Sequence, residues 1–577
     1  MNGNKKIIVI GGTACGPKAA ARARRCDPHA EITIVEQSEN VSSATCGFPY
    51  YVGGMIKFRN SLDVVKPMHF KDTLGINVLT HTKALSIDRR ERTVRVTSLA
   101  NGEDASLPYD KLVIATGSSP LRLPCDGSEL EGIYTLWTMI DAVAVRRIIE
   151  ERRMKKAVVV GSGLVGLEVA ESLVAQGLQV TIVEALDWLL PKLLDFEIAA
   201  YGEKELKKHG VDLLWGTRVV RFEGEDGWVR RVITDRKAIA ADLVVSAVGT
   251  RPNAGLAADA GLEIGELGGI SVDECLRTSD PDIYAGGDCV ENVNRITGKK
   301  MLAPMGSTAN KHGRIIGTNI TGGREKFPGV LGTTVVKVFD YNMGRVGLTE
   351  AQARAEGYAI ETCLIPCLDH AAYFPGARKM LFKLIAESET GVVLGAQGVG
   401  LGEVAKRIDV LATAISFGAK VDDLANLDLG YAPPYNSAMD PVHNAANVIK
   451  NKRSGMAEAS IPADVKEKID AGEEFILLDV RSLAEQENCF IDAPKQTQVI
   501  PLPDLRARVD EIPRDAEIIV YCQTSIRAYQ AQRILEGQGF KNVRFLDGSI
   551  AAWPYDTLGS KPYAEQSGLP IAMDAGI

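Results

Sequence analysis

A cysteine at position 46 stands in Ser43-Ala44-Thr45-Cys46-Gly47-Phe48-Pro49-Tyr50, shortly after an apolar stretch that ends at Glu36. It is the only cysteine between Cys26 and Cys125, so any partner sulfur must come from outside the segment. The thiolate is the nucleophile, and a helix N-terminus lowers the thiol pKa that controls it. Cys522 is the second candidate. It follows Glu517-Ile518-Ile519-Val520-Tyr521, which reads as a buried strand, and precedes a helix at Arg527. Loop N–H groups and a helix dipole stabilise a thiolate and then a persulfide, and Arg527 adds charge. Both cysteines point to chemistry at sulfur.

Two glycine turns bear on what supplies the electrons. Gly161-Ser162-Gly163-Leu164-Val165-Gly166 is a complete dinucleotide fingerprint between a strand and a helix. Its first glycine makes the tight turn, its second lets the backbone reach a pyrophosphate, and its third lets helix and strand pack closely. The helix N-terminus then faces the phosphates. Glu184 ends the next strand, where a carboxylate accepts from a ribose 2′-hydroxyl and repels a 2′-phosphate, so NADH is expected over NADPH. The earlier turn, Gly11-Gly12-Thr13-Ala14-Cys15-Gly16, carries Thr13 in the middle glycine position. Glu36 at the following strand end, Thr116-Gly117 closing a later strand, and Ala285-Gly286-Gly287-Asp288 complete a second nucleotide site. Asp288 is suited to a sugar-like hydroxyl chain. Two such sites imply a flavin drawing electrons from a nicotinamide. Cys15 and Cys289 read as small fillers beside that flavin. Cys363, Cys367 and His370 read as incidental neighbours, and no metal site is expected.

The elements that must position these groups follow from periodicity. Residues 5–36 read strand, glycine turn, helix, strand, and residues 155–184 repeat the pattern. Strands at 109–117, 242–249 and 283–288 imply that the second nucleotide unit is inserted within the first. Residues 327–448 alternate strands with one long helix near 403–418 and read as a separate α+β domain. Asn451-Lys452-Arg453-Ser454-Gly455-Met456-Ala457 is short and polar, a linker pattern. Strands FILLDV and EIIVYC and a helix RAYQAQRILEGQG then open a last α/β domain, and the tail after Trp553 is rich in Pro, Gly and Ser.

Composition sets the outer bounds. The 577 residues carry 66 basic against 74 acidic side chains, without the concentrated positive field of a nucleic-acid binder. The local cluster Arg22-Ala23-Arg24-Arg25 suits a small phosphorylated ligand. No apolar run approaches the roughly 18 residues of a spanning helix. Ten cysteines without framework spacing fit a reducing cytoplasm.

The chain resembles the fusion proteins of coenzyme A-disulfide reductase with rhodanese, and among them the NADH-dependent persulfide reductases. The markers are Ala44-Thr45-Cys46-Gly47-Phe48-Pro49-Tyr50-Tyr51, Tyr373-Phe374-Pro375-Gly376-Ala377 and Tyr431-Ala432-Pro433-Pro434-Tyr435. The resemblance implies one FAD per subunit, a homodimer, and a single redox cysteine, Cys46, that can form a mixed disulfide or persulfide with coenzyme A. It implies that Tyr373 and Tyr431 reach the cysteine from the partner subunit, and that Arg22, Lys71, Asn310 and Arg314 contact coenzyme A phosphates. The expected layout is an FAD-binding domain at 1–118 and 251–326 and an NAD-binding domain at 119–250, both doubly wound. An α+β dimerisation domain at 327–450, a linker at 451–461 and a rhodanese-like α/β domain at 462–560 follow. The last domain departs from the family pattern. Asn488-Cys489-Phe490-Ile491-Asp492-Ala493-Pro494 replaces the usual Gly-His-Ile segment, Gln523 replaces a loop arginine, and Ser525 replaces a glycine. This puts ordinary thiosulfate:cyanide transfer in doubt and leaves a persulfide carrier or acceptor role.

The expected substrate is a small persulfide, polysulfide or disulfide, with no nucleic acid or membrane partner. Two alternatives stand beside it. One is an NADH oxidase in which Cys46 cycles through sulfenic acid. The other is a flavoprotein redox sensor whose altered C-terminal domain binds a partner.

Overall fold

The computed structural model describes residues 4–560, so the end of the Pro/Gly/Ser-rich tail, from residue 561, lies outside the described residues. The chain forms two compact units. One comprises residues 4–185 and 211–330, the other 186–210 and 331–560.

The first unit holds two parallel five-stranded sheets. In one, Ile283–Ala285, Lys111–Ile114, Lys6–Ile10, Glu31–Val35 and Asn77–Leu79 lie side by side in that order. Such strands are buried on both faces, which is why they read as continuous apolar runs rather than alternating ones. Ile7, Val9, Leu112 and Ile114 are all fully buried. The other sheet runs Asp212–Leu214, Gln179–Val183, Lys156–Val160, Leu243–Ser246 and Ile133–Tyr134. Its strands fall in the chain between two strands of the first sheet. The chain enters and leaves this insertion through Ser118–Pro120 and Thr250–Pro252, which pair antiparallel.

The second unit holds an antiparallel sheet in the order Thr334–Val338, Tyr341–Gly347, Val393–Gly400, Lys379–Glu387 and Ile360–Leu368. Helices Val404–Ser416 and Pro441–Arg453 pack on it. A parallel sheet follows, Ala459–Ser460, Val543–Leu546, Ile518–Tyr521, Ile476–Asp479 and Thr497–Val499, with helix Ile526–Gly537 against it.

Two features depart from the expected layout. Residues 186–210, expected within the NAD-binding domain, group with the second unit. Buried ions hold them there. The Lys383 ammonium lies 3.1 Å from Asp195, 3.4 Å from Glu197 and 2.7 Å from Glu350. Burial alone would lower its pKa, but the three carboxylates outweigh burial and raise it. The expected linker, in turn, is largely structured. Helix Pro441–Arg453 runs through its start, and Ala459–Ser460 already belongs to the last sheet. The Lys452 ammonium donates to the Thr362 carbonyl (2.6 Å) and to Asp547 (2.9 Å), tying the last sheet to the antiparallel one.

Candidate active site

Cys46 sits in a single 3-10 turn, Thr45–Gly47, immediately before the five-residue helix Phe48–Val52. Its thiol is exposed. The Ser42 N–H donates to the Gly12 carbonyl (2.6 Å) and the Ala44 N–H to the Leu62 carbonyl (2.8 Å). These bonds hang the cysteine segment on the first glycine turn. Four residues on, the Tyr50 hydroxyl donates to Glu168 (3.2 Å), on the helix opened by the second glycine turn. Burial and then the Glu168 carboxylate push the Tyr50 pKa up to about 12. Burial likewise raises Glu168. The Arg146 guanidinium donates to the carbonyls of Tyr51, Ile56 and Lys57, closing the far side of the segment. Nothing in the spacing of Tyr50, Glu168 and Arg146 marks these contacts, which are made across more than 85 residues.

The glycine turns have the form a dinucleotide needs. Gly11 has φ +109°, and a Cβ there would lie 2.1 Å from the Ala115 carbonyl oxygen. A Cβ on Gly16 would lie 1.9 Å from the Gly11 carbonyl oxygen, so strand and helix meet at van der Waals distance. The Gly12 and Ser38 N–H groups donate to the two oxygens of Glu36 (2.7 and 2.8 Å). Thr116 Oγ1 donates to the Asn253 carbonyl (2.7 Å), and the Asn253 N–H donates to that of Gly117 (2.9 Å). Burial raises the Asp288 carboxyl, which accepts from Ser118 (3.1 Å). The Gly287 N–H donates to Nδ1 of His312 (3.1 Å), a fully buried histidine whose pKa burial lowers to about 4. A neutral imidazole therefore braces the Gly286-Gly287-Asp288 turn. The donor and acceptor set here, small turns flanked by carboxylates for hydroxyls, fits FAD.

The second turn repeats the geometry. Gly161 has φ +100°, and its Cβ would lie 2.6 Å from the Ala247 carbonyl oxygen; a Cβ on Gly166 would lie 2.2 Å from the Gly161 carbonyl oxygen. In front of Gly163 there is open space, as a pyrophosphate requires. Glu184 accepts from the N–H (2.8 Å) and hydroxyl (2.9 Å) of Ser162. This site fits a nicotinamide dinucleotide.

Of the residues expected at coenzyme A phosphates, Arg22 lies on helix Cys15–Cys26, and Asn310 and Arg314 lie on helix Gly306–Asn319 packed against it. Arg22 Nε donates to Thr318 (3.0 Å). Lys71 lies on helix Pro67–Leu74, which Arg24 ties to the same helix through the Leu74 and Gly75 carbonyls.

In the second unit, the hydroxyls of Tyr373 and Tyr431 lie 3.1 Å apart. Both residues are exposed, at 63% and 51%. Their hydrogen bond raises the Tyr373 pKa. Cys522 is wholly buried. Its N–H donates to the Ser549 hydroxyl (3.1 Å), and its Sγ lies 3.7 Å from the same oxygen. Ser549 holds a left-handed backbone, φ +52°. Arg527, expected to add charge at this loop, is held bidentately by Glu485 (2.6 and 2.9 Å). Burial favours the neutral form of Glu485, but Arg527 and the hydrogen bonds from Ser482 together outweigh it and bring the pKa down to about 2.

Cys363 and Cys367 are tied to the Ala445 and Met380 carbonyls. Among the described residues, Glu205, His209 and Asp340 carry potential ligand atoms within 4.8 Å of one another. Glu205, however, already accepts from His209, Lys208 and the Asp340 N–H. No helix among the described residues is long and apolar enough to cross a membrane.

A family model for pyridine nucleotide-disulphide oxidoreductase matches residues 5–309, the dimerisation domain of that group matches 333–442, and a rhodanese-like domain matches 461–555. A relative from Pyrococcus horikoshii named NAD(P)H coenzyme A polysulfide/persulfide reductase is 36% identical over 78% of this chain and 99% of its own. A relative from Methanocaldococcus jannaschii named NADH oxidase is 35% identical over 78% of this chain and 99% of its own. The solved structure of a NAD-dependent persulfide reductase from A. fulgidus is 46% identical, with a TM-score of 0.90, and covers 95% of this chain and 100% of that one.

Proposed function

The chain belongs to the pyridine nucleotide-disulphide oxidoreductases, and from that premise we propose that it reduces persulfide, polysulfide or coenzyme A persulfide sulfur with electrons from NADH. The observation that carries this reading is the exposed thiol of Cys46, which has no second cysteine in its own segment. A lone thiol cannot cycle through a disulfide within its own segment, so the second sulfur must arrive with the substrate. The 46% identical persulfide reductase spans the same set of domains, including the rhodanese-like one.

The residues divide the work. The Cys46 thiolate attacks the outer sulfur of R–S–SH, forming a Cys46 persulfide and releasing RS⁻. Which sulfur is attacked depends on access and on the leaving-group pKa, and an unhindered outer sulfur with a thiolate leaving group favours this direction. Tyr373 or Tyr431 of the partner subunit donates a proton or hydrogen bond to RS⁻. Gly11, Gly12, Gly16, Glu36, Thr116, Gly117, Gly287 and Asp288 would hold FAD, which when bound would supply the two NADH-derived electrons needed to return the Cys46 persulfide to thiolate and hydrosulfide. Gly161, Gly163, Gly166 and Glu184 hold the nicotinamide dinucleotide. Arg22, Lys71, Asn310 and Arg314 bind the phosphates of coenzyme A when the substrate carries it. Cys522 handles sulfur in the fused domain, and the protein works in the cytoplasm as a homodimer.

The test compares NADH oxidation with coenzyme A persulfide, coenzyme A disulfide and polysulfide under anaerobic conditions, and with oxygen alone. The expected order places the persulfides first, with stoichiometric sulfide release. Oxygen consumption that matches or exceeds persulfide turnover would instead support the NADH oxidase assignment carried by the Methanocaldococcus relative.

A further inference from the structure

Tyr373 and Tyr431 sit on two separate loops, are largely exposed, and share one hydrogen bond. A hydrogen bond between neutral hydroxyls in water contributes little net stability, because water competes for both partners. Such a bond cannot hold two loops in register. Something beneath them must.

One side chain reaches both loops. Arg407, on helix Val404–Ser416, is 1% exposed. Its Nη2 donates to the Asp369 carbonyl (2.7 Å) and to Asn436 Oδ1 (3.0 Å), and its Nε donates to Asp440 (3.1 Å). Its Nη1 points to the Glu403 carbonyl (3.4 Å). Asp369, Asn436 and Asp440 are all buried.

Each contact continues to a tyrosine. Asp369 is the base of the Tyr373 loop. Its N–H donates to the Arg378 carbonyl (3.0 Å), and its carboxylate accepts from the Arg378 N–H (2.8 Å), so the loop is closed at that point. On the other side, the Asn436 side-chain amide donates to the Gly430 carbonyl (3.4 Å), next to Tyr431. The N–H groups of Tyr435 and Asn436 both donate to the Ala432 carbonyl, which fixes the turn between them. Asp440 accepts from the Val442 N–H and so caps helix Pro441–Arg453, the element that ends this loop.

We infer that Arg407 is a positioning residue for sulfur reduction: one planar guanidinium sets the spacing of Tyr373 and Tyr431 by clamping the bases of both loops. The inference rests on the reading that the tyrosines assist departure of the thiolate. A lysine keeps the charge but not the fork. It is a point donor and cannot satisfy the carbonyl, the amide and the carboxylate in their fixed directions. Small displacements of a proton donor are costly to rate, by as much as 10²-fold for about 1 Å.

The test uses the full-length, FAD-loaded enzyme with Arg407→Lys, Tyr373→Phe/Tyr431→Phe, and the three changes combined. Arg407→Lys is expected to lower kcat for persulfide about 10-fold or more, with KM and the rate of flavin bleaching by NADH within about 2-fold of wild type, as a change confined to the tyrosines allows. Added to the tyrosine-less enzyme, Arg407→Lys should cost nothing more. A purely structural arginine would give an additive loss, or slow both half-reactions together, and either result overturns the clamp. A tyrosine-less enzyme as fast as wild type sinks the tyrosine reading and the clamp with it. A slow tyrosine-less enzyme beside a fast Arg407→Lys sinks the clamp alone. If Arg407→Lys does not fold, Asn436→Ala carries the test, since it cuts the branch to Gly430 and leaves the Arg407–Asp440 pair. It should match Tyr431→Phe, and wild-type turnover would overturn the proposal.

Discussion

Cys46 and Glu184 make separable contributions. Cys46→Ser should keep its FAD and still be bleached by NADH, because the residues proposed to bind the nicotinamide dinucleotide lie elsewhere. It should lose persulfide turnover almost completely, since the proposed nucleophile is gone. Sulfide release measured beside the absorbance of the flavin decides this, and substantial release by the variant refutes the assignment. Glu184 accepts two hydrogen bonds from Ser162 at the rim of the second glycine turn. Hydrogen bonds to a charged group contribute about 1.5–3 kcal/mol. With Glu184 proposed to accept from the ribose hydroxyl of NADH, Glu184→Ala should lower kcat/KM for NADH about 10-fold or more, while NADPH loses less because a repulsive charge has been removed. An unchanged NADH/NADPH ratio would show that other groups set the preference. The glycine turns and both strand-end carboxylates are plain in the sequence because their spacing is local. Arg407, His312 and the Tyr50–Glu168 pair are not. Their partners lie 25 to 118 residues away, and no periodicity encodes a contact at such range.

At the scale of elements, the close approach of helices Cys15–Cys26 and Gly306–Asn319 supports the flavin turn. A Cβ on Gly313 would lie 2.4 Å from the Cys15 carbonyl oxygen and 2.7 Å from Lys18 Cβ. Gly313→Ala must push the helices apart, at a cost of about 1–3 kcal/mol. The neighbouring His312 would carry that shift to Gly287, so the FAD-to-protein ratio should fall along with Tm. A variant with full FAD and wild-type Tm would show that the helices have slack. His312 adds a pH dependence. Its folded pKa is depressed to about 4 against an ordinary 6.5, so its contribution is present above about pH 6.5 and is lost as pH falls towards 4. Protonation turns the Nδ1 acceptor of Gly287 into a donor. FAD release followed by fluorescence should thus set in as pH falls towards 4 and should be blunted in His312→Gln. The strands were legible as buried apolar runs. Helix Pro441–Arg453 was not, because its alanines and asparagines carry a weak apolar stripe and its basic last turn reads as a linker.

For the whole molecule, the question is whether the C-terminal domain feeds sulfur to Cys46. A small persulfide can reach Cys46 directly, so Cys522→Ala should leave its turnover near wild type. If the domain delivers sulfur, a protein-bound persulfide first passes it to Cys522, and turnover with that donor should fall sharply in the variant. Equal loss with both donors would place Cys522 in the main site. No loss with either would leave the domain as a binding module. The order of domains was legible from repeats of the strand-turn-helix pattern. The grouping of residues 186–210 with the second unit was not, since it depends on Lys383 meeting carboxylates nearly two hundred positions away. The buried tie from Lys452 to Asp547 also says where this chain can be cut. A C-terminal domain begun at residue 454 would keep Asp547 but leave behind its ammonium, and a buried carboxylate stripped of its partner is costly to any fold. Grafting this domain onto another protein therefore requires taking the end of helix Pro441–Arg453 with it.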